Sequence, residues 1–457
     1  MKLKPNHKLN TIIFLSPSIV TVICSIVSLP FLTQKLDLED FGYFYLCLII
    51  INFLGSFSLL GGTVSMAKKF HGKEIREQEE FISNIFFLSL IISLFFSLLT
   101  LISWDFFLNK FLIDKSHLYI MLFVLMIYGF KTYISEILTI NNRPLSYCIF
   151  IGVQSITTLL VNIYLIQNYD FGVDTLFYSM LGSAIISLIL IIFHSFQYLK
   201  RVPSFKIIKE ILAEYRIAIS GFLENLFIFF ERNIINKFFG IELFTLFNYA
   251  KSYESQMLSI NKAIVRGVYS AALFELKDKG SFSYCEKSID YILLVILFFG
   301  LFFATIGYDF MSLISNDKFS NSSYFVCLLC IVRVFNNTNV AYNITILVKG
   351  KIKNFANIVY FDKLVLLILI LLLVPFLQLK GLVIAYITSA IILKLYFYKT
   401  AKKFFDVPFL EKKIFIICFI ISSILLISIF IGDSFFFRLN LFITSLLVVT
   451  YYFRFEL

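Results

Sequence analysis

The residues best suited to chemistry in this chain are charged side chains set inside long apolar runs. The basic ones are Lys131, Arg216, Lys251, Lys262, Arg333, Lys363 and Lys394. The acidic ones include Glu136, Glu214, Glu224, Glu231, Glu254 and Asp362. If the runs cross a bilayer, each ionised group costs about 2.5–3.5 kcal/mol at mid-membrane on insertion scales. Such residues therefore pair, snorkel or line a hydrated path. Arg216, Lys262 and Lys394 lie near run ends, where a long basic side chain can reach back to the headgroups. Lys363 follows Asp362 and has a local partner in it.

The others fall on helical stripes. Lys131 lies deep in its run. Arg333 and Asn337 are four apart, Glu224 and Glu231 seven apart, and Asn225 and Arg232 stack beside them. Asn248, Lys251, Glu254 and Ser255 form another stripe. These spacings put each group on one face of its helix. Lys131, Glu224, Asn225, Arg232, Lys251, Arg333 and Asn337 are therefore the candidate binding residues of a mixed but cationic cavity. Glu224 and Asp362 are candidates for coupling transport to an ion. The competing explanation is a set of helix–helix ion pairs without a role in binding, such as Glu224 with Lys251.

Catalytic readings find little support. His7, His71, His117 and His194 are scattered, and no HExxH or GxSxG motif is present. Lys349-Gly-Lys-Ile lacks the upstream glycine and the hydroxyl residue of a phosphate-binding loop. Cys327-Leu-Leu-Cys330 is an isolated CxxC with apolar flanks, which reads as buried helix positions rather than a metal or redox site. No catalytic residue, metal site or cofactor is expected, and the chain does not read as an enzyme.

The elements that must position these residues are membrane helices. Of 457 residues, 59% are hydrophobic and only 15% charged, and mean hydropathy is +0.88. Soluble domains carry about 25% charged residues, so an ordinary soluble enzyme is excluded. The net charge of +11 sits between apolar runs, which points to the flanks of membrane spans rather than to nucleic acid. A span needs about 20 apolar residues. Fourteen segments qualify, near 11–33, 43–66, 81–103, 118–140, 146–167, 174–197, 212–235, 242–265, 288–312, 320–346, 355–376, 381–399, 414–432 and 439–453. With the N-terminus inside, 25 of the 40 Lys and Arg fall in inner segments and 8 in outer ones. The positive-inside rule then places both termini in the cytoplasm. The fold expected is all-α and integral to the membrane, with about 14 transmembrane helices.

A repeat is visible in these segments. Glu39-Asp-Phe-Gly-Tyr-Phe44 returns as Glu242-Leu-Phe-Thr-Leu-Phe247, 203 residues on. Arg143 and Lys351 close spans four and ten, 208 apart. Gly172 and Gly381 open spans six and twelve, 209 apart. The common offset predicts two parallel six-helix halves, 1–205 and 206–400, and an extra helix pair over 401–457. Parallel repeats occur in transporters, with the substrate site between repeats.

The same landmarks carry a family likeness. Leu29-Pro-Phe-Leu-Thr-Gln-Lys-Leu-Asp-Leu-Glu-Asp-Phe-Gly-Tyr-Phe44 resembles the first outer loop of polysaccharide flippases. Glu231-Arg-Asn-Ile-Ile-Asn-Lys-Phe-Phe-Gly240 with Phe247-Asn-Tyr-Ala250 is similar to their seventh helix and the turn into the eighth, with Glu231 where Asp is usual. Lys349-Gly-Lys-Ile-Lys353 and Gly381-Leu-Val-Ile-Ala385 resemble the tenth-to-twelfth helix region. The likeness is to the Wzx-type O-antigen or repeat-unit flippases of the multidrug/oligosaccharidyl-lipid/polysaccharide (MOP) exporter superfamily, and it implies a MATE-like fold. It implies a multi-pass protein of the bacterial inner membrane, surrounded by membrane lipids and working beside polysaccharide polymerase machinery; the sequence carries no clear oligomer signal, so a monomer is expected.

The cargo it implies is a polyprenyl-pyrophosphate-linked oligosaccharide. Lys and Arg would hold the pyrophosphate, while Asn, Ser and Tyr would bond sugar hydroxyls. Moving one charge through 100 mV is worth about 2.3 kcal/mol, so a divalent anion leaving a negative cytoplasm gains about twice that without ATP. One alternative is an ion-coupled drug or metabolite antiporter of the same superfamily, which calls for a dominantly acidic cavity. The other is an O-antigen polymerase or ligase, which calls for a large outer loop. The longest here is about fourteen residues, near 104–117.

Overall fold

The computed structural model describes residues 7–59, 75–103, 105, 113–141, 143–169, 171–195, 203–212, 215–279, 283–339, 342, 346, 352–403, 411–431 and 435–456. Every regular element among them is an α-helix, in the order α1 His7–Lys35, α2 Leu38–Phe57, α3 Ile75–Ile102, α4 Lys115–Ile140, α5 Pro144–Asn168, α6 Asp174–Ser195, α7 Phe205–Leu212, α8 Tyr215–Lys279, α9 Ser283–Thr305, α10 Gly307–Ser315, α11 Ser322–Asn337, α12 Ile352–Lys402, α13 Glu411–Ile431 and α14 Phe435–Glu456. Lys349, Lys351 and Asn343 lie outside the described residues, as do the side chains of Arg216 and Lys262.

Seven helices among the described residues are long and apolar enough to cross a membrane, and eight if a bent pair counts as one span. The chain is a multi-pass membrane protein. Fourteen helices are described, as many as the segments read from the sequence, but the two sets do not correspond one to one. Expected spans eleven and twelve run on as α12, whose helical path breaks at Gln378 (φ +50°) after Pro375. Expected spans seven and eight run on as α8, which breaks at Gly240 (φ +79°). Span nine is bent by 71° between Thr305 and Gly307. Spans ten, thirteen and fourteen hold shorter apolar helices, Ser322–Asn337, Lys413–Ser428 and Phe435–Leu447.

Gly381, the residue expected to open span twelve, does not make the turn itself. Its α-carbon sits against the Leu373 backbone, so a side chain would collide there. The left-handed residue is Gln378. Close packing therefore calls for glycine at 381, and the reversal falls three residues earlier.

The chain forms two compact units, one of residues 19–233 and the other of residues 1–18 with 234–457. In the first, α4 is packed by α2, α3, α5 and α6. Its core holds Phe81, Phe86, Ile134, Ile137 and Phe150 in one cluster and Cys47, Ile50, Leu118, Met121 and Phe177 in another. Gly129 of α4 meets Ser58 and Ser89, and no side chain fits between them. The starts of α4 and α6 are tied to α2 through buried His117. Its ring lies 2.6 Å from Asp174 Oδ1 through Nε2 and 2.9 Å from Tyr43 Oη through Nδ1, and it stacks on Phe177 at 3.8 Å. The Asp114 backbone N–H donates to Tyr43 Oη at 3.0 Å.

In the second unit, α9 is the central helix, with Ile292, Leu293, Ile296, Leu297 and Leu301 fully buried. It packs on α11, α13 and α14. Two ion pairs pin its surroundings, Lys413–Asp290 at 2.7 Å and Arg438–Asp309 at 3.1 Å. Cys327 and Cys330 are buried helix positions with free thiols. Large apolar side chains such as Phe95, Phe193, Phe376 and Phe415 are exposed, as expected of surfaces solvated by lipid rather than water.

Candidate functional site

In the 19–233 unit, α2, α4, α5 and α6 enclose a cavity of about 360 Å³. Val124, Ile127, Tyr128, Lys131 and Ser135 of α4 reach it as one helical stripe, and Ser183, Ala184 and Ser187 of α6 as another; Asn52 and Ile51 come from α2. Lys131 is half-buried and lines the cavity. Among the described residues it makes no ion pair and no hydrogen bond. No carboxylate lines the cavity. One cation among hydroxyls and apolar walls is an environment for an anionic group.

The wall beside Lys131 is fixed by close packing. A Cβ on Gly55 would stand 2.6 Å from the Tyr128 ring. The absence of that atom therefore lets the ring lie against α2.

Glu224, Asn225 and Arg232 lie on the first part of α8. Glu224 is exposed and Asn225 half-buried. Arg232 is buried, with Nε 3.7 Å from Oε1 of the adjacent Glu231.

In the other unit the structure brings Lys251 and Arg333 together on one buried carboxylate. Arg333 Nε donates to Glu254 Oε1 at 2.6 Å, and Lys251 Nζ lies 2.9 Å from Glu254 Oε2. Lys251 also sits over the Tyr386 ring, 4.7 Å from its centroid, and 5.7 Å from that of Phe247. Two cations thus share one anion. Removing one member of such a buried set strands the others' charge. The i, i+3 spacing of Lys251 and Glu254 was visible in sequence. The approach of Arg333 from another helix was not.

Asn337 follows Arg333 by one turn, as its spacing required, and its Nδ2 is buried without a partner among the described residues. Asp362 accepts from Ser389 Oγ at 3.2 Å and lies 3.6 Å from Lys363 Nζ. Lys394 departs from the snorkelling expected of it: it is buried, donates to Thr338 Oγ1 at 2.9 Å and lies over the Tyr342 ring. The described residues contain no group of three or more His, Cys, Asp or Glu that could hold a metal.

No protein-family profile and no curated protein sequence matches the chain. Solved structures do match. Lipid II flippase MurJ, in an inward closed conformation, superposes with a TM-score of 0.66 at 15% identity, covering 98% of this chain and 99% of its own. The fold is one that MOP superfamily transporters share. An inward-facing multidrug resistance MATE family transporter of that superfamily gives 0.61 at 14% identity, over 86% of this chain and 98% of that one. A MOP superfamily transporter from Pyrococcus furiosus, described as having a binding pocket of reverse polarity that suggests a different function, gives 0.65 at 15% identity, over 88% and 99%. All three are transporters or flippases. At these identities the MOP likeness establishes the fold, and the cargo has to be argued from the site.

Proposed function

We propose that this chain is a flippase. It carries polyprenyl-pyrophosphate-linked oligosaccharide repeat units from the cytoplasmic to the outer face of the bacterial inner membrane, for O-antigen- or capsule-type polysaccharide synthesis. The observation that carries this reading is Lys131, a cation without a partner among the described residues, in a cavity with no acidic lining. A cation-exporting site needs the opposite polarity. The fold shared with a lipid II flippase over nearly the full length of both chains supports the same reading.

In this mechanism Lys131 binds the pyrophosphate; in the other unit, Lys251 and Arg333 are candidate binding residues held by Glu254. Asn225, Arg232, Glu224 and Asn337 complete the candidate binding residues, and Glu224 and Asp362 are the groups placed to couple an ion. The two six-helix halves alternate access by rocking, as repeat-built transporters do. The polyprenyl tail stays in lipid. The membrane potential drives the anionic headgroup outward.

The test is reconstitution into liposomes with lipid-linked repeat units and a membrane potential. Wild-type protein should move them, and Lys131→Gln should lose at least ~10-fold in rate, since one ionic contact to phosphate is worth roughly 1.5–3 kcal/mol. Full activity of Lys131→Gln would overturn the site. Transport of cationic dyes in place of the lipid would favour the antiporter.

A further inference from the structure

The cavity of the 19–233 unit gathers more donors than its one lysine. Asn52 of α2, Tyr128 and Ser135 of α4 and Ser183 of α6 line it beside Lys131. Among the described residues, none of these five side chains makes a hydrogen bond or an ion pair. Two other hydroxyls of the lining are already used: Thr132 Oγ1 donates to the Tyr128 carbonyl at 3.1 Å, and Ser187 Oγ to the Ser183 carbonyl at 2.7 Å. Lys131, Tyr128, Ser135 and Ser183 are half-buried and Asn52 is exposed, so the cavity is open at α2.

Its depth follows from the helices. α2, α4 and α6 are tied near their starts by Tyr43, His117 and Asp174. They run on in one direction: Tyr133 donates to the Leu59 carbonyl beyond the far end of α2, and Ile134 and Ile137 share a core cluster with Ala184 and Ile191. Asn52 and Ser183 stand nine residues past that tie, Tyr128 eleven and Lys131 fourteen. At 1.5 Å per residue they lie about 14–21 Å in, the middle of a bilayer core about 30 Å thick. An ionised lysine at that depth needs a counter-charge, and no carboxylate lines the cavity. Water can bond the hydroxyls and the amide, but it cannot neutralise the lysine.

The donors select the ligand. The ammonium offers three N–H groups, the amide two and each hydroxyl one. An oxyanion with several acceptor oxygens uses them together, and phosphoryl oxygens take strong charge-assisted hydrogen bonds. A metal cation would be opposed by Lys131. At about 360 Å³ the cavity is at the small end of ligand sites, which run from about 300 to 1,000 Å³. It holds an anionic headgroup, but not an oligosaccharide and a polyprenyl chain besides. We propose that Lys131, Asn52, Tyr128, Ser135 and Ser183 form a phosphoanion site, complete within this unit, that takes free inorganic pyrophosphate as well as a lipid-linked one. The free anion then inhibits transport by occupying the headgroup's place. This rests on the flippase reading and adds to it the residues that grip the anion and a small-molecule competitor.

The experiment uses purified full-length protein with inorganic pyrophosphate as the probe, read by calorimetry and by melting temperature. Wild-type protein should bind it and melt higher in its presence, as a ligand of the folded state requires. Ser135→Ala and Ser183→Ala should each weaken binding ~10-fold or more, the scale of a hydrogen bond to a charged group. Their melting temperatures without ligand should match wild type, because neither hydroxyl bonds to the protein. Asn52→Asp puts a carboxylate into the cavity and should abolish binding with Lys131 still in place. In liposomes, pyrophosphate should slow wild-type transport of lipid-linked repeat units. Transport that depends on Lys131 but is indifferent to free pyrophosphate overturns the inference and leaves the flippase reading intact. Pyrophosphate binding that survives all three variants places the anion elsewhere and also overturns it. Binding lost in the variants, from a protein that moves no lipid-linked repeat unit, upholds the anion site and overturns the flippase reading.

Discussion

Arg333 donates its Nε–H to Glu254 at 2.6 Å, and Lys251 shares the same carboxylate from 2.9 Å. Three residues that look like separate charges along the chain are thus one ion-paired set around a buried carboxylate. Lys131 stands in contrast, as a cation without a partner among the described residues. The two sites should respond to mutation in opposite ways.

Glu254→Ala removes the buried carboxylate that two half-buried cations share. Breaking a buried ion pair typically costs about 3–5 kcal/mol, so the purified variant should unfold at a clearly lower temperature than wild type. Glu254→Ala combined with Arg333→Met should recover much of the loss, and a thermal melt of the two variants checks it.

Lys131→Met removes a desolvated charge that no partner offsets. Its melting temperature should be equal to or above that of wild type, while surface glycan in cells is lost. Melting temperature and glycan level therefore separate binding from folding at this position.

Gly55→Ala would press a methyl group into the Tyr128 ring, 2.6 Å away. Overpacking of this kind costs about 1–3 kcal/mol, relieved by moving Tyr128 in the cavity that Lys131 lines. Reduced transport should accompany a modest fall in melting temperature. A variant with both wild-type transport and wild-type stability would show that the ring moves freely.

Asp174→Ala leaves the His117 ring without one of its two hydrogen-bonded side-chain partners at the start of α6. The loss should be about 1–3 kcal/mol, the cost of leaving a buried donor unpaired. Hydrogen exchange should rise first at the starts of α2, α4 and α6. Asp174→Asn, which can still accept a hydrogen bond, should recover most of it.

Much of this was legible in the sequence because a bilayer imposes one length and one polarity on each helix. The spans containing α2 to α6 were readable for that reason, as was the helical stripe of Lys251 and Glu254. What depends on contact between distant segments was not. The 71° bend after Thr305 has no proline to announce it. Pro375 precedes the break in α12, yet Gln378 makes it, so glycine at 381 marked the region and not the residue. Lys394 lies near a span end, where snorkelling was the simplest expectation, but Thr338 and Tyr342 hold it inside. Lys131 could be recognised as a charge out of place; that four helices leave a cavity around it could not.

The most direct test of the central claim is to delete the gene and determine which face of the inner membrane holds the lipid-linked oligosaccharides. The account predicts completed repeat units trapped on the cytoplasmic face, with surface glycan lost and both restored by the wild-type gene but not by Lys131→Met. Normal surface glycan with no trapped intermediate, or repeat units accumulating on the outer face, would contradict it.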